Sequence, residues 1–310
     1  MVFVPALAAS DAMPVEAIAS RPIAGRAGLL LAAPAALLLL VLLFLPSSAV
    51  LVLSFTDYQF GMGTLGFVGL ENYAALVSEP RFRQSLANTF LYVALVGPIS
   101  VALGLWLAVL MEGAGWLKGL YRSVFFLPVT STLVAMATAW EVLLHPNFGF
   151  VNTLAALAGF EPQRFLSDPD IALYSLAAIG VWKQVGFNVL LFVAGLAALP
   201  RDLYEAASID GADRGWERFR MITWPMLGPV LMFVSVITLI RAFSEFETVA
   251  VLTDGGPIGS TTVVLYTLYE EAFRFFQIGL ASAVAVAFLG FVATVSIVKT
   301  RMLDRRVHYG

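Results

Sequence analysis

The chain has 310 residues, 60% hydrophobic and 13% charged, with mean hydropathy +0.87 and a formal net charge of −3. No soluble domain of this size needs so much apolar surface for a core, so composition marks an integral membrane protein; the alternating charges of 202–229 point to neither lipid nor nucleic acid as that stretch's partner. The absence of cysteine excludes disulfides, thiolate metal sites and Cys nucleophiles.

Residues 1–26 carry no motif and read as a cytoplasmic tail. Apolar runs follow at 27–53, 85–111, 123–144, 171–199, 226–252 and 277–298, each able to cross a hydrocarbon core that needs roughly 20 residues. The first follows Arg21 and Arg26 as a signal peptide would, but it is far longer than an h-region of roughly 7 to 15 residues and reads as a retained helix. With six spans, the basic residues of 1–26, 112–122, 200–225 and 299–310 fall on one side; opposite them lie only Arg81, Arg83, Arg164 and Arg274. The positive-inside rule then makes both termini and the 200–225 loop cytoplasmic. The outward segments 56–84, 145–170 and 253–276 hold turn residues and too little else for a separate domain.

Small residues recur four apart at Ser100, Gly104 and Ala108, and at Gly279, Ala283 and Ala287, which lets helix backbones approach closely, chiefly within one subunit. Lys183, Arg241, Glu245 and Glu247 fall inside spans, where an isolated charge costs several kcal/mol, so pairing or a wet cavity is required. On the fifth span Thr238, Arg241, Ala242 and Glu245 follow i, i+3, i+4, i+7 and so form one stripe, and Gln184 and Asn188 share a face of the fourth. Arg241 and Glu245 either neutralise one another across a turn or face a solute; Lys183 pairs or snorkels.

The one long charged stretch between spans is 202–229. It reads as two short helices, the first ending at Gly211, the second capped by Asp213 and stopped by Pro225. Trp216, Phe219 and Ile222 line one face of the second helix and suit a partner's groove, while Glu205 stays free for a cationic partner. No Ser–His–acid set, His-rich metal spacing or Walker A pattern is present, so the chain reads as a non-enzyme that hydrolyses no ATP itself.

Glu205, Ala206 and Ala207, with Gly211 four residues further on and Pro225 beyond, resemble the EAA loop of permease subunits of binding-protein-dependent ABC importers. The flanking VWKQVGFNVLLFVAGLAALP and the Thr253–Pro257 run TDGGP are similar to the carbohydrate-uptake branch, the maltose-type and glycerol-phosphate-type permeases, from about residue 68 onward. The resemblance implies an all-α polytopic membrane protein of six transmembrane helices with the maltose-type permease fold. Residues 27–299 would be the permease domain, 200–225 its EAA coupling loop and 300–310 a cytoplasmic tail.

It further implies a bacterial inner-membrane subunit that moves a sugar or sugar-like solute inward. Its partners would be a second homologous permease, two ATP-binding cassette subunits carrying ATP and Mg, an external solute-binding protein and membrane lipid, with no cofactor on this chain. Glu205, Ala206, Ala207, Gly211, Asp213, Trp216 and Phe219 would couple to the nucleotide-binding subunit; Gln184, Asn188, Thr238, Arg241 and Glu245 align with sugar-contacting positions. Arg241 and Glu245 depart from the family's usual side chains, and the large external insertion of the maltose-type permease is missing. A neutral carbohydrate stands ahead of glycerol phosphate or another anionic sugar derivative, because the nearby acids leave little net positive field. The rival class is an ion-coupled secondary transporter using Arg241, Glu245 and Glu247, against which six spans without an inverted duplicate argue.

Overall fold

The structure, a computed structural model, describes residues 26–63, 65–112, 118–209 and 215–304. The chain divides into two units, residues 1–49 and 50–310. In the first, α1 (Arg26–Leu39) contains Pro34 and passes through a π-helical turn, Leu40–Phe44, into α2 (Leu45–Leu53), which reaches into the second.

The second unit continues with α3 (Glu71–Ser78), α4 (Pro80–Glu112), α5 (Lys118–Thr130), α6 (Leu133–Leu143) and α7 (Phe150–Leu157). Then come α8 (Ala172–Ala197), α9 (Arg201–Ile209), α10 (Gly215–Arg218), α11 (Trp224–Met226), α12 (Gly228–Phe243), α13 (Glu247–Leu252), α14 (Val264–Tyr269) and α15 (Ile278–Asp304). The described residues contain no strand, only an isolated bridge between Thr56 and Phe67.

Among the described residues, five stretches are long and apolar enough to cross a membrane: Leu30–Leu53, Pro80–Glu112, Ala172–Ala197, Gly228–Leu252 and Ile278–Ile297. The third expected run, 123–144, is split into α5 and α6. Pro128 inside α5 removes a backbone donor and crowds the preceding turn, and Thr132 is extended at φ −68°, ψ 145°. A second discontinuity interrupts the fifth expected run between α12 and α13, at Ser244, Glu245 and Phe246. The single stripe from Thr238 to Glu245 therefore does not exist as a helical face, because the helix has ended at Phe243.

The bundle is organised on α4 and α8. Gly104 allows the contact: a Cβ there would stand 2.7 Å from Cβ of Asn188. Ser100 and Ala108 are fully buried beside it, so this small-residue stripe packs within the subunit. One core cluster gathers Tyr92, Val96, Leu176, Ile179, Phe243 and Tyr266; another gathers Leu105, Ala108, Phe192, Leu196, Leu227 and Val234.

The stretch after α9 departs from expectation in one respect. Pro225 does not stop a helix: the helical path runs through it to Met226, and only Leu227 separates α11 from α12. A π-helical turn, Phe219–Thr223, joins α10 to α11. Gly211 and Asp213, like residues 1–25 and 305–310, lie outside the described residues.

Candidate functional site

The break between α12 and α13 opens a cavity of about 520 Å³. Gly180, Lys183 and Gln184 of α8, Arg241 at the end of α12, and Ser244, Glu245, Phe246 and Glu247 of the break and the next helix line it. Irregular backbone at membrane depth is tolerated only where protein or a water-filled cavity satisfies its polar groups, and here Glu245 does part of that work. Its Oε1 accepts from the backbone N–H of Thr248 at 3.0 Å, and its Oε2 accepts from the Tyr92 hydroxyl at 3.1 Å.

Arg241 and Glu245 do not pair; no ion pair joins them among the described residues. The Arg241 guanidinium instead lies over the ring of Phe187, 3.9 Å from its centroid. Lys183 pairs with Glu247, Nζ to Oε2 at 3.4 Å. Lys183, Phe187, Arg241 and Glu247 also line a smaller cavity of about 160 Å³ that reaches Ser131 at the α5–α6 break. Both discontinuities thus meet around the same charged side chains.

Gln184 faces the larger cavity while only 7% exposed, and its Nε2 has no hydrogen-bond partner, a buried donor held ready for an acceptor. Phe246, Tyr269 and Phe273 form an aromatic wall, with ring centroids 5.2 Å apart for the first pair and 5.5 Å for the second. A few polar groups converging beside aromatic surface is the usual make-up of a site for a small solute.

Asn188 and Thr238 lie beneath this surface and do not line it. Thr238 Oγ1 donates to Asn188 Oδ1 at 2.9 Å, Asn188 Nδ2 donates to Ser100 Oγ at 3.4 Å, and all three residues are fully buried. Of the five residues expected along a solute pathway, the structure brings Gln184, Arg241 and Glu245 to the cavity. It adds Lys183 and Glu247, whose mid-span charges were the available signal; Tyr92, for which an apolar span gave none, holds Glu245 from outside the lining.

On the loop that carries the Glu-Ala-Ala triplet, Glu205 and Ala206 are exposed and Ala207 is buried. The Arg218 guanidinium lies 4.2 Å from the Tyr204 ring centroid, and the Tyr204 and Thr223 hydroxyls share a hydrogen bond at 3.2 Å, so the two sides of the loop are joined. Trp216 is 71% exposed and stacks on Phe219, which packs into the bundle core. With Trp106 and Trp224 they line an apolar groove of about 720 Å³ along α4 and α12.

At the far end of the bundle, Glu270 bridges Arg81 at 2.6 Å and Arg274 at 3.4 Å, and Arg274 reaches Asp254 at 2.5 Å. The Tyr266 hydroxyl also donates to Asp254; that bond and the guanidinium hold the Asp254 carboxyl below its ordinary range. Burial, followed by the Asp254 contact, pushes the Tyr266 hydroxyl up. Burial chiefly, with Glu79 adding, raises Glu271 to about 6. No cluster of potential metal ligands occurs among the described residues.

Residues 100–309 match the family described as "Binding-protein-dependent transport system inner membrane component". The chain is 33% identical over 283 residues to the sn-glycerol-3-phosphate transport system permease protein UgpA of Agrobacterium fabrum, covering 91% of this chain and 96% of the relative. It is 34% identical over 271 residues to the probable ABC transporter permease protein YesP of Bacillus subtilis, covering 86% of each. A bacterial ABC transporter involved in import of the acidic polysaccharide alginate superposes with TM-score 0.80 at 21% identity, over 91% of this chain and 97% of that one. A bacterial alginate ABC transporter in complex with an alginate pentasaccharide-bound periplasmic protein gives 0.79 at 22% identity, over 91% and 95%. At these identities the two structures speak for the fold.

Proposed function

Because the chain belongs to the family of inner membrane components of binding-protein-dependent transport systems, we propose that it is a permease subunit of an ATP-driven importer, moving a sugar or sugar-like solute inward through the cavity at the α12–α13 break. The observation that carries this reading is the convergence, near the middle of two long spans, of an unpartnered Gln184 amide, Lys183, Arg241 and Glu247 on one aromatic-walled cavity. Hydroxyl-rich solutes are held by such mixed donors and acceptors, and discontinuous helices recur where transporters bind their cargo.

A second permease chain, two nucleotide-binding subunits that hydrolyse ATP, and an external solute-binding protein complete the assembly. Glu205 and Trp216, both exposed, face the nucleotide-binding subunit; Phe219 anchors the loop to the bundle. Gly211 and Asp213 belong to the same coupling segment by sequence. Both termini and this loop are cytoplasmic, supported by the distribution of Lys and Arg.

The test is uptake into vesicles carrying the assembled complex and its binding protein. Accumulation with internal ATP and no ion gradient supports the reading. Uptake that needs an ion gradient and ignores ATP overturns it in favour of a secondary transporter.

A further inference from the structure

The four charged side chains around the cavity are not equivalent. Glu245 has both oxygens committed, one to Tyr92 and one to the backbone of Thr248. Glu247 has a single long contact to Lys183, at 3.4 Å, with side chains 59% and 32% exposed. A pair so open to water contributes about 1 kcal/mol or less and exchanges readily. Arg241 has no carboxylate within 4.0 Å among the described residues; its guanidinium lies over the Phe187 ring, 3.9 Å from the centroid, and it lines both cavities.

We propose that Lys183 and Arg241 bind an acidic group of the transported solute, a carboxylate or a phosphate, and that Glu247 is the resident counter-ion this group displaces. The proposal rests on the importer reading above and names the class of solute. Lys183, Arg241 and Glu247 stand together in the wall shared by the larger and the smaller cavity, so a solute crossing between the two discontinuities meets all three. Both cations lie near mid-span, where an unpaired charge is costly and a mobile anion lowers that cost. An acidic group takes the guanidinium edge through two hydrogen bonds and the ammonium through one, and Glu247 turns to water. When the solute leaves, Glu247 returns, so Lys183 is paired in both states. A neutral sugar finds donors here but has nothing with which to displace Glu247.

The assembled importer in nanodiscs, without its binding protein, is titrated by calorimetry with two matched pairs: galacturonate against galactose, and glycerol 3-phosphate against glycerol. The acidic member of at least one pair should bind about tenfold or more tightly than its neutral twin, the value of one charge-assisted contact. The pair that shows this identifies the source as carboxylate or phosphate. Lys183→Gln and Arg241→Gln should each bring the ratio close to one, Arg241→Lys should keep part of it, and Glu247→Gln should raise affinity for the acid, which a packing role does not predict. Equal binding of both members, or a ratio unchanged in both cation variants, overturns this proposal and leaves the importer reading intact. Binding of none of the four probes removes the cavity as a solute site and both readings of it.

Discussion

The Tyr92 hydroxyl donates to Oε2 of Glu245 at 3.1 Å, so the middle of α4 holds the carboxylate that stands in the break between α12 and α13. Tyr92 is 1% exposed, which leaves water no way to replace it. Tyr92→Phe should destabilise the subunit by about 1.5–3 kcal/mol, the range for a hydrogen bond to a charged group. Glu245→Gln, which keeps an acceptor, should cost less. The apparent melting temperature of the detergent-solubilised complex measures both; equal shifts would show that Tyr92 does not recognise the carboxylate.

Gly104→Ala should loosen the α4–α8 contact, because its new methyl group meets Cβ of Asn188 at 2.7 Å. Overpacking of this kind costs about 1–3 kcal/mol. Gly290→Ala in α15 has nothing within 4 Å to meet and serves as the matched control. Recovery of assembled complex after solubilisation should fall for the first and hold for the second.

Thr238→Val removes the hydroxyl that donates to Asn188 Oδ1 in a fully buried site. The expected cost is about 1–3 kcal/mol of stability. Solute preference should not move, since Thr238 does not line the cavity. An altered preference at unchanged stability would restore Thr238 to the solute pathway.

Glu271 titrates at about 6 in the folded chain against an ordinary value of 4.5. The folded state therefore holds this proton more tightly than the unfolded chain. Its contribution to stability is full below pH 4.5 and is lost as pH rises through about 6. Glu271→Gln, permanently neutral, should raise the melting temperature at pH 7.5 by an amount equivalent to about 1–2 kcal/mol and leave it unchanged at pH 4. A shift of the same size at both pH values would point to altered packing instead of titration.

Orientation is accessible because the chain contains no cysteine. Phe160→Cys and Ser208→Cys both place a thiol at an exposed position. In sealed cells an impermeant maleimide should label residue 160 alone, and residue 208 only after permeabilisation. The reverse pattern would invert the assignment of the two faces.

The long apolar runs were legible because roughly 20 residues of hydrocarbon-compatible side chains have few other uses. The α5–α6 break had a signal in Pro128, which disfavours an unbroken helix. The α12–α13 break had none of the usual punctuation: Ser244, Glu245 and Phe246 include neither Gly nor Pro. Its stability comes from a tertiary partner, Tyr92, more than 150 residues earlier in the chain, and no local pattern reports such a contact. Asn188 and Thr238 share faces with cavity residues by spacing, yet Ser100 draws Asn188 into a buried chain of hydrogen bonds. Helical periodicity says which residues lie together; it does not say how deep.

Leu227, the single non-helical residue between α11 and α12, is 1% exposed and bonded through its backbone in both directions, its N–H to Thr223 O and its O from the Leu231 N–H. Both are i→i−4 bonds, so Leu227 carries the helical path from α11 into α12 within the core. From Gly228 to Arg241 the rod beyond it is about 20 Å long, so a tilt of roughly 10° at Leu227 carries the guanidinium some 3.5 Å. On the importer reading proposed above, a tilt of the Trp216–Met226 arm would reach the cavity wall at Arg241 along this joined path.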